Sequence, residues 1–263
     1  MIFRTKFKAA ICAIGILSLT LPAFADEARG LAIAKERKMR DQGWGDSVEE
    51  IRMVLKNSNG DTSERSLRTR RLEVSGDGDK ALTIFDEPRD VRGTVFLSYS
   101  HVGEPDDQWL YLPALKRVKR IASRNKSGPF MGSEFAYEDL SSFEIEKFSF
   151  NYLGDDKLDG LDCFVVEQIS KDEFSGYTRQ KVWVDKTHYR PMKIEFYDRR
   201  GGLLKTLRLS DYEQFMDKYW RSMKMVMNNH QTGKVTTLTT TNIAFSTGLE
   251  ENDFSKSSLR RAR

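Results

Sequence analysis

The chain has 263 residues, with 43 lysines and arginines against 39 aspartates and glutamates and a net charge of +4. Arg4, Lys6 and Lys8 lie in the first 25 positions, so the remaining 40 basic residues almost balance the 39 acidic ones. A chain with this balance lacks the basic excess of a nucleic-acid-binding protein, and we expect no nucleic-acid partner.

The first 25 residues have the three regions of a secretory signal peptide. The basic start is followed by an apolar stretch at 9–21 and by the small-residue ending Ala23-Phe24-Ala25. The apolar stretch is short for a membrane span, although an uncleaved anchor helix is the alternative. We therefore predict cleavage after Ala25 and export to the periplasm. Cys163 is then the lone cysteine of the mature chain, which excludes an internal disulfide and favours a buried thiol.

One helix opens the mature chain, with Asp26 as its predicted N-cap and Gly43 as its end. Beyond it, apolar and polar residues alternate with period two, and turn signals recur every 8–12 residues or so. The predicted strands are 51–56, 64–74, 81–85, 94–101, 108–112, 115–121, 147–153, 161–169, 178–184, 191–197, 203–209, 220–227 and 234–245. This pattern favours a large antiparallel sheet, a sandwich or a barrel over a parallel α/β sheet.

Residues 122–143 interrupt the alternation of strands. This long connection contains Gly128-Pro129-Phe130-Met131-Gly132 and then further aromatic residues. Connections of this length are uncommon unless they form a lid, a binding loop or a disordered segment, and aromatic residues argue against disorder. Two interpretations stay open: a fixed plug at an open end of the sheet, and a mobile gate.

Signals of catalysis are weak. His101, His188 and His230 are far apart, and no nucleophile or metal-binding motif occurs. The acidic segment 154–162 lacks the order of a calcium loop and is interpreted as a hairpin turn. We expect no enzymatic activity, no catalytic residues, no cofactor and no metal.

Two apolar patterns could line a cavity. Trp109 and Tyr111 lie two residues apart, so they share one face of a strand, and Met223, Met225 and Met227 do the same. Methionine is flexible and suits surfaces that accept variable apolar shapes. Each pattern is either an ordinary core stripe or the lining of a cavity for an acyl chain, and composition does not separate the two.

A basic run lies in the strand predicted at 115–121. Alternation places Arg117 and Lys119 on the same face. A charged edge strand that resists aggregation is one interpretation. Contact with anionic head groups or with an acidic partner is the other.

Two segments carry a family resemblance: QWLYLPALKRVKRI at 108–121 and FMGSEFAYEDL at 130–140. Together they resemble the bacterial outer-membrane lipoprotein-sorting proteins of the LolA-like superfamily, specifically the branch often associated with RND-type exporters. The resemblance implies a mainly β fold with a few helices over residues 26–263. Its large curved antiparallel sheet would form an incomplete, half-open β-barrel, with helices and a loop covering the concave face.

The resemblance also implies a function as a periplasmic carrier or binding protein for lipoproteins, lipids or other hydrophobic ligands. We expect it to use an apolar cavity under a mobile loop, with loading displacing the segment around Phe130 and Phe135. The expected partners are acyl chains and an inner-membrane RND-type transporter. The alternative is an interaction or sensor module that docks onto such a transporter and needs no cavity. The candidate cavity and lid residues are Trp109, Tyr111, Phe130, Met131, Phe135, Tyr137, Met223, Met225 and Met227. Arg117 and Lys119 are the candidates for head-group or partner contact.

Overall fold

The computed structural model describes residues 26–262, and the predicted signal peptide lies outside these residues. The described chain has two α-helices, α1 (Glu27–Arg40) and α2 (Ser258–Arg261), and thirteen strands. The strands are β1 (Asp46–Lys56), β2 (Thr62–Leu72), β3 (Lys80–Glu87), β4 (Val95–Tyr99), β5 (Asp107–Leu112), β6 (Arg117–Ile121), β7 (Phe148–Leu158), β8 (Leu161–Ser170), β9 (Tyr177–Asp185), β10 (Pro191–Asp198), β11 (Leu203–Phe215), β12 (Tyr219–Asn229) and β13 (Val235–Phe245).

All thirteen strands of the described chain form one antiparallel sheet with the order β6-β5-β4-β3-β2-β1-β13-β12-β11-β10-β9-β8-β7. The chain starts near the middle of the sheet at β1 and moves outward to the edge strand β6. It then crosses to the opposite edge at β7 and returns strand by strand to β13, which pairs with β1. Because β6 and β7 do not pair, the sheet is an open barrel, which confirms the predicted fold class.

One connection, residues 122–147, links the two edges of the sheet, and we name it the strap. Since it starts after β6 and ends before β7, it has to cross a face of the sheet. Short 3₁₀ helices at Tyr137–Leu140 and Ile145–Lys147 are its only regular structure in its second half. The strap includes residues 122–143, the segment that interrupts the alternation of the predicted strands.

The thirteen predicted strands are confirmed, with differences at their ends. The hairpin predicted at 154–162 is also confirmed, because Asp159 and Gly160 form the two-residue turn between β7 and β8. Both have positive φ angles, +51° and +82°, as a type I′ turn requires. The short helix α2 was not predicted, because four residues are too few to show helical periodicity.

Helix α1 begins where predicted. The Asp26 carboxylate accepts a hydrogen bond from the backbone N–H of Arg29 at 2.8 Å. The helix lies directly on β7, because a Cβ atom at Gly30 would stand 2.8 Å from the backbone nitrogen of Tyr152. Ile33 and Ala34 are buried against β7, β8 and β9. The helix therefore covers one wing of the sheet, beside the strap.

The C-terminal residues cover the other, outer face. Phe254 and Leu259 are fully buried against side chains of β3, β4 and β5. Within residues 26–262, no helix is both long and apolar enough to cross a membrane.

Candidate functional site

One end of the strap fills the inner face of the sheet with aromatic side chains. The Phe130 ring lies 5.7 Å from that of Phe85 and 5.2 Å from that of Phe96, measured between centroids. Tyr137 meets Phe130 edge-to-face at 5.6 Å. Phe130 and Phe135 are both buried. This part of the strap therefore packs against the inner face of the sheet.

The middle of the strap is held by a buried ion pair. Lys205 on β11 lies 2.6 Å from Asp139, and the two side chains are 4% and 6% exposed. Lys205 also donates to the carbonyl oxygen of Glu134, and the Tyr177 hydroxyl donates to Asp139 at 2.8 Å. Burial, followed by the charge of Asp139, raises the pKa of Tyr177 well above its ordinary value. Each polar group of this cluster thus has a partner.

Glu138, the neighbour of Asp139, ties the strap to the approach to β9. Its carboxylate accepts hydrogen bonds from the Ser175 hydroxyl at 2.7 Å and from the Gly176 N–H at 2.9 Å. Burial raises its pKa above the usual value for a glutamate. Two adjacent carboxylates of the 3₁₀ turn therefore fix the strap. Asp139 holds it to β9 and β11, and Glu138 holds it to the residues just before β9.

Between the strap and the sheet lies an apolar cavity of about 690 Å³. This volume is within the range of about 300–1,000 Å³ that is usual for ligand pockets. Phe130 and Phe135 close one end, and Met225 lies where the wall approaches the helix. Charged residues such as Lys126, Lys147 and Asp172 also line this cavity. The apolar side chains that the sheet contributes to its wall include Ile51, Met53, Leu67, Phe196, Leu207 and Leu238.

A second cavity of about 1,230 Å³ adjoins the first below helix α1. Its wall is rich in charged residues, and most of them are paired. Arg71 pairs with Glu49 at 3.1 Å, and Lys38 pairs with Glu144 at 3.0 Å. The two cavities share wall residues, among them Arg37, Arg71, Leu140, Phe143 and Met225. The first cavity therefore continues into a second one that has more charged residues in its wall, and we name the two the apolar cavity and the polar cavity.

No metal site accompanies these cavities. Among residues 26–262, no three or more His, Cys, Asp or Glu side chains are placed to hold a metal ion. Cys163 is buried and free in the structure, and burial raises the pKa of its thiol. The candidate site therefore consists of two adjoining cavities whose walls combine apolar and charged side chains.

Comparison with known proteins connects this architecture to a family. A family model described as an uncharacterized protein family matches residues 77–261. A crystal structure from Vibrio parahaemolyticus, provisionally named an outer membrane lipoprotein-sorting protein domain, is 65% identical with a TM-score of 0.89. The alignment covers 90% of this chain and 100% of that one. The chain belongs to the same family as this outer membrane lipoprotein-sorting protein domain.

Two further solved structures are similar to the chain. A DUF1329 family protein from Desulfovibrio piger is 28% identical with a TM-score of 0.84, over 89% of this chain and 98% of that one. A LolA superfamily protein from Nitrosomonas europaea shares the fold, at 19% identity and a TM-score of 0.69, over 87% of this chain and 98% of that one. An uncharacterized protein of Methanocaldococcus jannaschii is 41% identical over 51 residues, and the chain spans 15% of its length.

In this lipoprotein-sorting-type domain, Trp109 and Tyr111 do not lie where we expected. They point to the outer face of β5 and are buried with Phe254 and Leu259 of the C-terminal segment. Their neighbour Leu110 points to the inner face instead. The expectation that the two aromatic residues line the cavity is therefore corrected.

The methionine stripe is divided as well. Met225 and Met227 belong to the inner core, and Met225 also lines both cavities. Met223 is half-buried, belongs to none of the described core clusters and lines neither cavity. On the paired strand β11, Asp211 has a φ of +53°, and it lies between the positions that pair with Lys224 and Ser222 on either side of Met223.

The remaining predicted residues fall into three groups. Phe130 and Phe135 line the cavity, whereas Met131 and Tyr137 pack against the same core from the strap without lining the hollow. Arg117 and Lys119 are exposed on the edge strand β6.

Sequence reasoning missed two residues of the site, Arg37 and Lys205. Arg37 follows Ile33 by four positions and Gly30 by seven, so helical spacing places it on the buried stripe of α1. Lys205 lies two positions before the buried Leu207, so the two side chains share the inner face of β11. In both cases the signal was a charged residue at an inward-facing position.

Proposed function

We propose that the mature chain is a non-enzymatic periplasmic carrier or binding protein for the acyl chains of lipoproteins or lipids. The observation that carries this proposal is the apolar cavity of about 690 Å³ under the strap. It occurs in a member of a family of lipoprotein-sorting domains. The proposal includes export by the predicted signal peptide.

The physical basis is the removal of acyl chains from water. Each methylene group buried in an apolar site gains about 0.8 kcal/mol, so a chain of several methylenes would bind well even without polar contacts. Side chains such as Leu207, Leu238 and Met225 supply such surroundings. Methionine also adapts to chains of different shape.

The route of entry follows from which parts of the wall are fixed. The strap is fixed at Asp139 by the buried ion pair and at Phe130 by aromatic packing. The apolar cavity, however, continues past Phe143 into the polar cavity beside α1. We propose that cargo enters between α1 and the strap, and that the Phe130 end of the strap stays in place.

We further propose an RND-type transporter of the inner membrane as the partner that exchanges cargo. Arg117 and Lys119 are the proposed contact with this partner or with anionic head groups. Both are exposed on an edge strand, and within residues 26–262 neither forms an ion pair. An exposed pair of positive charges at a sheet edge attracts acidic surfaces.

Lipid extraction and acyl-probe binding test the carrier function. Mass spectrometry of protein purified from the periplasm should identify a bound lipid or acylated peptide, and delipidated protein should bind a fluorescent acyl probe. Met225→Trp should weaken the probe at least about tenfold, because the larger side chain occupies the cavity wall.

The control lies two residues away on the same strand. Met223→Trp adds the same group at a position that lines neither cavity, so it should leave the affinity unchanged. Delipidated protein that takes up no acyl probe would refute the carrier function. Equal weakening by both substitutions would place the binding site elsewhere.

A further inference from the structure

Arg37 lies at the junction of the apolar and polar cavities. It is on the last part of α1 and lines both hollows. Its guanidinium carbon stands 4.2 Å from the centroid of the Phe143 ring, which belongs to the strap. The stacking fixes the plane of the guanidinium and leaves its edge, with the N–H donors, available to a ligand.

Most of the surrounding basic residues have acidic partners, but Arg37 has none in the described structure. Arg71, Lys38 and Arg221 pair with Glu49, Glu144 and Asp41. Arg190 pairs with Asp185 at 2.8 Å. Among residues 26–262, no carboxylate lies within 4.0 Å of the Arg37 guanidinium, and this group donates no hydrogen bond.

An unpaired charge in this position favours an incoming anion. Loss of hydration lowers the pKa of Arg37, although a guanidinium stays protonated in proteins. Arg37 is half-buried, and a partly dehydrated charge without an ion-pair partner is unfavourable, so a bound carboxylate or phosphate relieves that cost. Arginine also offers such anions two parallel hydrogen bonds.

We propose that Arg37 binds the anionic group of an amphiphilic ligand whose acyl chain fills the apolar cavity. This inference rests on the proposed carrier function and names the chemistry of its cargo: a carboxylate or phosphate joined to an acyl or alkyl chain. The polar cavity of about 1,230 Å³ accommodates the hydrated remainder of the head group.

Three lipids with equal chains test the inference by calorimetry on delipidated protein: laurate, dodecyl phosphate and the neutral monolaurin. Wild-type protein should bind the two anions more tightly than monolaurin. Arg37→Gln should weaken the anions roughly tenfold to hundredfold, as expected for hydrogen bonds to a charged group, and leave monolaurin unchanged. Arg37→Lys should restore part of the difference, because it returns the charge without the paired donors.

Lys35→Gln is the matched control, since it removes one positive charge from the exposed side of the same helix. It should change none of the three affinities. Inorganic phosphate is a further probe, which has the anionic group but no alkyl chain. It should bind far more weakly than dodecyl phosphate.

The outcomes separate this inference from the carrier function. Arg37→Gln that weakens all three lipids equally would overturn the head-group site, because Arg37 would then act only through its packing on Phe143. Equal binding of monolaurin and laurate by wild-type protein would overturn it too, while the carrier function stands. Phosphate that binds as tightly as dodecyl phosphate would make this a site for free anions. Wild-type protein that binds none of the lipids overturns both proposals.

Discussion

At the scale of single residues, the pKa of Asp79 is set by its surroundings. The residue lies at the wall of the polar cavity, and burial raises the pKa of its carboxyl to about 6. Lys38 opposes this effect, while Glu144 and Glu73 add to it. A carboxyl with a raised pKa binds its proton more strongly in the folded state than in the unfolded one.

The sign of the resulting pH dependence follows from proton linkage. Between about pH 4 and pH 6, the folded chain holds a proton on Asp79 that the unfolded chain has lost, so the free energy of unfolding falls as the pH rises. We predict that Asp79→Asn removes this slope. The free energy of unfolding of the variant, relative to wild type, should be about 1–3 kcal/mol higher at pH 7 than at pH 4. Urea denaturation of both proteins across this range measures the difference. A difference in the free energy of unfolding that stays constant from pH 4 to pH 7 for Asp79→Asn would contradict the prediction.

The residue scale also shows where prediction from the sequence stopped. In β5, Trp109, Leu110 and Tyr111 are all buried, because the strand has an apolar cover on each face. Alternation separates the two faces but does not say which one meets the cavity. The outer cover consists of Phe254 and Leu259, from a segment too short to show a period.

At the scale of elements, the contact between α1 and β7 depends on a missing side chain. A methyl group at residue 30 would meet the backbone of Asn151 and Tyr152 at 2.8–3.0 Å, and backbone atoms in a paired strand yield little. We predict that Gly30→Ala destabilises the fold by about 1–3 kcal/mol, although alanine favours a helix by about 1 kcal/mol over glycine. Because α1 also carries Arg37, the same change should weaken laurate binding. Thermal unfolding and calorimetry check both effects.

Lys35→Ala provides the comparison for that prediction, because it changes an exposed residue of the same helix. It should be nearly neutral for stability and for binding. A Gly30→Ala variant that is as stable as wild type would mean that the helix can move away from β7 without cost.

The strap gives the second prediction at this scale. Removing one partner of a buried ion pair leaves an uncompensated charge, at a cost of about 3–5 kcal/mol. We therefore predict that Lys205→Met destabilises the fold by that amount, since Asp139 keeps only the hydroxyl of Tyr177 and the N–H of Ala136. Chemical denaturation measures the loss. Lys157→Met removes one side of the exposed pair with Asp162 and should cost less than about 1 kcal/mol.

The elements themselves were largely predictable, whereas the fixing of the strap was not. Period-two alternation and turn residues such as Asp159 and Gly160 mark strands locally, within a few residues. The ion pair joins residues 66 positions apart, and nothing local to Asp139 indicates a lysine partner. The sequence therefore left open whether the segment was a plug or a gate.

At the scale of the whole molecule, the two halves of the sheet are joined by two strands that lie far apart in the sequence. The central pairing of β1 with β13 brings residues from the two ends of the described chain together, such as Ile51 opposite Thr240. Without this pairing the two wings of the sheet would be independent meanders, and no common inner face would form under the strap. Strand order of this kind depends on loop closure over most of the chain, which no local pattern encodes.

The two faces of this sheet should be separable by mutation. Phe254 is fully buried on the outer face, and Phe135 lines the cavity on the inner face. We predict that Phe254→Ala and Phe135→Ala each destabilise the fold by about 3–5 kcal/mol, because each leaves a void in a packed cluster. Only Phe135→Ala should change the affinity for an acyl probe. The measurement combines denaturation with probe binding under conditions where both variants are folded, and Phe174→Ala, at an exposed position, is the control for stability. If Phe254→Ala alters probe affinity as much as Phe135→Ala does, the outer cover and the cavity are coupled through the sheet, and the two faces do not act independently.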